Sequence, residues 1–526
     1  MTLRALVFSA MMLILPGLCF AAPSRVTTQD GNVITGEVTI KDDIYTIITP
    51  YGTVTIPKGA VKSVEPVVEG GQPPQPGQEN GPALHGGQPS GTGTGPLRFA
   101  GSNTIGEELM PALLEAYAAS LGAKESDWSW LQETADDLSF QAKLPNGGTF
   151  AAHLSRHGSA TAFEALLNGN ADIGMASRQV KPEEADKLQG AGFGHAFSPG
   201  QENVLALDGL VVLVNKNNPV TSLSLSQIAD LFSGKITNWS DLGGPSVPVH
   251  VYARDKNSGT YDTFNTLVLA PTKQTLVGSA QRFESSSELS DKVASDPGGI
   301  GFAGFAYIRD TKALSIVTEC GLIFPPSEFF VETEEYPLAR RLFLYIPANP
   351  TNSTTPNFVD FALGPGGQEQ AGKKGFISLS PATSTSAYGG NRIGIAVALF
   401  PYNQRLVEFA RLAVNAVRAS VTFRFQTGSS ALDSRAVRDI DRLADYLKSP
   451  AAAGRKVYVI GFSDSRGADY INLRLSEDRA AQIAELLRQK GVNIEQIKGF
   501  GKAAPVACNP PSGDQEKNRR VEVWLY

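Results

Sequence analysis

Cysteine is almost missing from this chain: three in 526 residues. Cys19 falls in a segment that reads as a cleaved leader, which leaves Cys320 and Cys508, too few for a disulfide framework. They could bond in an oxidising compartment, yet they fall in different expected domains, and two unpaired thiols is the favoured reading. Histidine is as scarce, with five. The one close pair, His153 and His157 in HLSRH, lacks the glutamate of an HExxH zinc helix, Leu154 standing in its place, so no metal site is expected. No GxSxG elbow, Walker A loop or catalytic Cys/His context occurs, so neither an enzyme nor a cofactor is expected. There is no excess of basic charge either. A net charge of -6 and a pI near 5.6 argue against nucleic acid as a partner. Beyond the leader, no apolar run reaches the length of a membrane-spanning helix.

What is plentiful is glycine and proline, 53 and 33, which point to turns and linkers in a chain too long for one core. Residues 1–22 read as an export signal. Arg4 supplies the positive start, Ala5 to Phe20 the apolar stretch, and Cys19-Phe20-Ala21 the small-x-small cleavage site. Residues 25–65 alternate apolar and polar positions between turns at Asp30-Gly31, Asp42-Asp43 and Tyr51-Gly52, which predicts a small SH3-like β-barrel. Residues 66–95 turn to Gly, Pro, Gln and Ser without periodicity: a linker, with His85 solvated in it.

Residues 96–400 alternate strand and helix patterns. LRFAG is followed by TIGEELMPALLEAYAASL, ATAFEALLNG by ADIGMA, and GLVVLVN by SLSQIADLFSG and VPVHVYA. That alternation predicts an α/β architecture of two lobes around a cleft, with ligands at the carboxyl ends of strands. Residues 400–420 read as a helix. Residues 420–526 follow a β-α-β-α-β-β pattern, a small α/β sandwich whose second helix has Ser476 as its candidate cap.

Three strand-to-helix junctions in the middle region share one chemistry. They are Gly101-Ser102-Asn103-Thr104, His157-Gly158-Ser159-Ala160-Thr161 and Ser258-Gly259-Thr260, and Arg254 precedes the last by four residues. Glycine admits close backbone approach, hydroxyls cap helices or bond a guest, and helix-start N–H groups with a guanidinium suit an oxyanion. Charge-assisted bonds contribute roughly 1.5–3 kcal/mol each, so a few on one anion reach about micromolar binding. Asp172 reads as a structural turn or capping residue.

These junctions lead to a family. GSNTIGEEL, HGSATAFEALLNGNADIGMASR, DGLVVLVNKNNPVTSLSLSQIADLFSGKITNWSDLGG, RDKNSGTYDTF and DPGGIGFAGFAYI resemble the periplasmic phosphate-binding proteins of ABC importers, over about residues 97–385. The resemblance implies a type II periplasmic binding fold with a cleft that closes on its ligand. It carries phosphate contacts onto Thr104, the backbone at Ile105, Ser159, Arg254, Ser258, Gly259 and Thr260. Well-known members place an aspartate after the DIGMAS strand to accept the proton of hydrogen phosphate; this chain has Ser177-Arg178. Arg178 is counted among the anion's contacts, and because arginine only donates, its presence in the cleft would remove the usual basis for rejecting sulfate.

In the last region, Asp464 ends a strand and Arg479 lies in the following helix. Taken alone they make either a zwitterion site or a plain salt bridge. GFSDSRGADYINLRLSEDRA, GFGKAAP and KNRRVEVWL resemble the OmpA-like peptidoglycan-binding domain. The resemblance carries recognition of the diaminopimelate stem peptide onto Asp464 and Arg479, with Asn472, Leu475 and Arg520 around them. The expectation is a periplasmic phosphate or oxyanion binder tethered to peptidoglycan and the outer membrane, for uptake, sensing or storage, with an ABC permease as the implied partner. The alternative is a wall-anchored scaffold whose flytrap domain no longer takes a small ligand.

Overall fold

The computed structural model describes residues 24–28, 33–41, 43–49, 52–66, 95–384, 404–425, 432, 434–508 and 515–526. The export signal, His85 and nearly all of the linker lie outside the described residues. The described residues fall in two compact units, the first within 24–66 and the second from 95 onward.

In the first unit the alternating pattern makes five strands: Ser24–Thr28, Val33–Lys41, Ile44–Thr49, Gly52–Pro57 and Val61–Pro66. The first four pair antiparallel in succession, and the fifth returns to the free edge of the first. Val26 is fully buried, with Val38, Tyr45 and Val61 packed on it.

The second unit is built on an 11-stranded sheet. Its spine is Glu202–Asn215, a strand buried along its whole length. The first half of this strand pairs with Ala339–Tyr345 and the second half with Gly299–Gly304, both antiparallel. Alternation then sorts the side chains. Val211, Leu213, Leu342 and Leu344 enter one apolar cluster, while Leu210, Val212, Phe343 and Tyr345 enter the other. A strand covered on both faces has to be apolar on both, which is why LALDGLVVLV reads as a nearly continuous run.

To one side of the spine, Leu97–Gly101 lies parallel between Thr149–Ser155 and Ile173–Ala176. To the other, His250–Arg254 lies parallel between Gln281–Phe283 and Gly299–Gly304. Two βα halves are thus joined through two long strands, and the three junctions lie at carboxyl ends of strands, where such sheets bind ligands.

At the C-terminal end, Val417–Arg424, Arg520–Leu525, Val457–Gly461 and Ile494–Gly499 form a sheet in that spatial order, with helices Ser434–Lys448 and Asp469–Gln489. The chain path is the β-α-β-α-β-β of the sequence pattern. Two details differ from expectation. The helix of 400–420 spans Gln404–Val414, and the chain from Val417 is strand because it pairs with Arg520–Leu525. Ser476 does not cap its helix, which starts at Asp469; its hydroxyl donates to the Leu473 carbonyl and accepts the Gly501 N–H.

The C-terminal sheet and the large sheet belong to one compact unit, and their contact is ionic and covalent. Glu334 meets Arg341 at 2.6 Å, Arg435 at 3.2 Å and Arg424 at 3.5 Å. Arg418 meets Glu335 at 2.6 Å, both side chains being inaccessible. Cys320 and Cys508 form a disulfide, which overturns the reading of two unpaired thiols. The separation of 188 residues hid a proximity that only the docked arrangement creates.

Glu332, buried and accepting a bond from the Ser420 hydroxyl, has its carboxyl pushed up to about 8, chiefly by burial. The folded chain therefore keeps a proton that the unfolded chain releases. Stability should fall as pH rises from about 4.5 to about 8 and level off above. Glu332→Gln should flatten that part of the profile, as read by urea denaturation across the range. A profile identical to that of the parent would refute the assignment.

Candidate functional site

The three junctions converge. Gly158 N–H donates to the Gly101 carbonyl at 2.8 Å, joining the first two. Thr104 and Thr260 hydroxyls lie 3.0 Å apart, joining the first and third. The second and third pack so closely that side chains are excluded. A Cβ on Gly158 would sit 2.4 Å from the Asn257 carbonyl oxygen, and one on Gly259 would sit 2.2 Å from Ser159 Oγ and 2.6 Å from Ser177 Oγ. Gly158 also holds a φ of 95°, in the left-handed region that favours glycine. Thr104, Ile105, Ser159, Ser258 and Thr260 are all buried. Ser258 caps the helix Gly259–Phe264, its hydroxyl accepting the Thr260 N–H at 3.2 Å.

Arg254 ends its strand inside this group and is inaccessible to solvent. Its Nε donates to the Phe283 carbonyl at 3.2 Å, and its terminal nitrogens donate to the Ser286 hydroxyl and the Glu284 carbonyl. Those partners are neutral. Burial lowers its proton affinity, while the more distant charges of Glu107 and Asp255 oppose that effect. A guanidinium held in this way is a fixed cation set among hydroxyls and main-chain N–H groups, an environment that an oxyanion complements.

Sequence reading also placed Arg178 among the anion's donors. In the structure its Nε meets Asp262 at 2.9 Å, its Nη1 and Nη2 meet Glu184 at 2.8 and 2.6 Å, and its guanidinium lies 5.0 Å from the Phe163 ring centre. It is Ser177 that reaches the junctions, donating its N–H to Ser159 Oγ at 2.9 Å, with the two hydroxyls 3.2 Å apart. Successive residues leaving a strand point to opposite sides, so attention to one position missed its neighbour. Asp172 accepts three bonds from Arg98, two from the side chain and one from the main chain, as a structural turn residue would. Two further residues went unread, Asp208 and Arg340, which meet at 2.6 Å behind Thr260. Each is a charge inside an apolar strand, and that pattern was the available signal, because buried charges are paired.

Metal-ligand types gather at one place among the described residues: atoms of Asp136, His157 and Glu284 lie within 4.8 Å of one another. His157 is already held there, Nε2 at 3.1 Å from Asp137 and Nδ1 at 3.8 Å from Glu284. His153 lies 3.5 Å from Glu133 instead.

In the C-terminal sheet, Arg479 is buried with its Nε and Nη1 lacking hydrogen-bond partners, its guanidinium 5.1 Å from the Phe425 ring centre. Burial, with Arg519 nearby, pushes it down to about 10 against the pull of Asp464. Asp464 accepts from Arg519 at 3.2 Å and from the Arg466 N–H at 3.0 Å. Asn472 donates to the Arg466 and Ala468 carbonyls and so shapes the loop, and Leu475 is exposed. Arg520 does not join them. It pairs with Glu522 at 2.6 Å and lies over Phe462 at 3.9 Å, because its strand turns it to the other face and leaves Arg519 beside Asp464.

Residues 88–365 match the PBP superfamily domain and residues 424–519 match the OmpA family. The chain belongs to the PBP superfamily. Its PBP domain is 34% identical to Protein SphX of Synechococcus elongatus over 260 residues, 46% of this chain and 74% of that protein. It is 29% identical to the phosphate-binding protein PstS of Staphylococcus epidermidis over 226 residues, 41% of this chain and 67% of that one. The crystal structure of an ABC-type phosphate transport receptor from Vibrio cholerae aligns with 22% identity and a TM-score of 0.40, over 53% of this chain and 99% of that one. The PBP domain is therefore a phosphate-binding-protein-like type II α/β domain, joined to a C-terminal OmpA family α/β domain. This is a family of binding proteins, not of enzymes.

Proposed function

We propose that this chain is an exported periplasmic protein that binds inorganic phosphate in its PBP domain and holds to peptidoglycan through its OmpA family domain. The observation that carries the first part is Arg254, buried among three converging junctions and bonded there to neutral acceptors. In this reading Arg254, the Thr104, Ser159, Ser258 and Thr260 hydroxyls and the main-chain N–H groups of Ile105, Gly259 and Thr260 enclose the anion. Likeness to the phosphate-binding protein PstS supports phosphate as the ligand, and an ABC permease is the partner this implies. Uptake, sensing and a local store are the roles open to such a protein. Arg178 in the cleft would have favoured the scaffold alternative, but Glu184 and Asp262 balance its charge.

The second part rests on Arg479, whose unpartnered donors face the side of the sheet where Phe425 and Arg519 gather near Asp464. A diaminopimelate side chain offers carboxylate to Arg479 and ammonium to Asp464. We place the export signal at 1–22, the SH3-like barrel at 25–65, the linker at 66–95, the phosphate domain at 96–400 and the wall domain at 420–526. Arg479→Ala and Asp464→Ala should each lose at least about tenfold in binding to isolated sacculi. Phosphate affinity, measured by titration calorimetry on the same preparations, should be unchanged. Retention of the Arg479→Ala chain by sacculi would sink the wall assignment.

A further inference from the structure

Beside the three junctions lies a second guanidinium, whose role depends on those junctions holding an anion. Asp208 and Arg340 lie opposite each other on adjacent antiparallel strands. Asp208 is inaccessible and Arg340 is 6% exposed. Asp208 Oδ2 accepts from Arg340 Nε at 3.0 Å and Nη2 at 2.6 Å, and Oδ1 accepts the Phe305 N–H at 2.7 Å. The carboxylate thus steadies the guanidinium along one edge. The other edge is turned to the Thr260 hydroxyl, 2.8 Å from Nη1, with the Thr104 hydroxyl 3.5 Å from Nη2. These are two of the hydroxyls assigned to the anion. Arg254 is near enough to feel the charge of Arg340.

Acceptors for a proton on the ligand are poor at this wall. Asp208 is bound by Arg340 and Phe305, and Glu107 accepts from the Ser285 hydroxyl at 2.8 Å and the Ser286 N–H at 3.3 Å. Ser177 stands at the remaining corner with an uncharged hydroxyl. A protonated anion would find only hydroxyl oxygens free to accept its O–H, whereas a dianion can accept from those hydroxyls, the main-chain N–H groups and both guanidiniums.

We propose that Arg340, steadied by Asp208, is a second guanidinium ligand of the anion and selects by charge, so that the site takes a doubly charged tetrahedral anion without reading its proton. Titration calorimetry on the purified full-length chain tests this with phosphate and sulfate in mildly acid and mildly alkaline buffer. Phosphate should bind more tightly on the alkaline side, where it is mostly the dianion. Sulfate, a dianion throughout, should bind equally in both buffers and within about tenfold of phosphate. Arg340→Gln should weaken both anions at least about tenfold with no change in sacculus binding. Arg340→Lys, which keeps the charge and loses the fork, should fall between and serves the comparison if the glutamine variant does not fold.

Unchanged phosphate affinity in these variants overturns the proposal. So does a parent chain that binds phosphate equally in both buffers and rejects sulfate. A parent chain that takes neither anion overturns the anion reading of the cleft itself, and this proposal with it.

Discussion

Arg254→Ala should abolish measurable phosphate binding, with a loss of at least about a hundredfold in affinity. Two charge-assisted bonds lost from a dry site are worth roughly 3 kcal/mol or more, and each 1.4 kcal/mol is about tenfold. The same residue donates to the Phe283 and Glu284 carbonyls and the Ser286 hydroxyl, so its removal also leaves acceptors without donors. Arg254→Lys separates the two effects. It keeps a charge in the strand end but cannot serve three directions in one plane, and its affinity should lie between alanine and the parent. Sacculus binding by both variants should match the parent, since Asp464 and Arg479, proposed for the wall, lie in the OmpA family domain. Phosphate bound by Arg254→Ala as tightly as by the parent would leave the convergence of the junctions without a function.

Arg418→Ala should cost about 3–5 kcal/mol of stability, because it removes a buried cation from beside two acids that water cannot reach. Arg418 lies 2.6 Å from Glu335 and 3.4 Å from Glu522, and all three side chains are inaccessible. Arg418 also donates to the Thr422 hydroxyl at 2.7 Å. A urea midpoint well below that of the parent is the expected reading. Glu335→Gln should be milder, since the amide oxygen can still accept from Arg418. A midpoint for Arg418→Ala equal to that of the parent would mean that the ionic contact between the two sheets contributes nothing.

The three converging junctions were legible because their signal is local: a glycine, hydroxyls and a helix start within four or five residues. Arg254 was legible for the same reason, lying four residues before its junction. Asp208 and Arg340 were not, because their meeting depends on the register of two strands whose paired residues are 132 apart in the chain. Only their odd placement in apolar runs was visible. The choice between Arg519 and Arg520 failed on parity. A run of adjacent arginines entering a strand does not say which faces Asp464, and a slip of one residue reverses the answer. The helix and sheet pattern of the C-terminal region was readable from periodicity, but its docking against Glu332, Glu334 and Glu335 was not. Those acids belong to a stretch that alone resembles an ordinary solvated turn.

The bond between Cys320 and Cys508 has a practical outcome for how this molecule comes apart. A protease that severs the backbone anywhere in the 188-position interval between them leaves two fragments still fastened together. On a gel without reductant such a nicked molecule travels as one band, and with reductant as two. If the chain binds its anion and the wall as proposed, clipping alone would not release the PBP domain from the wall; a thiol donor would have to act as well.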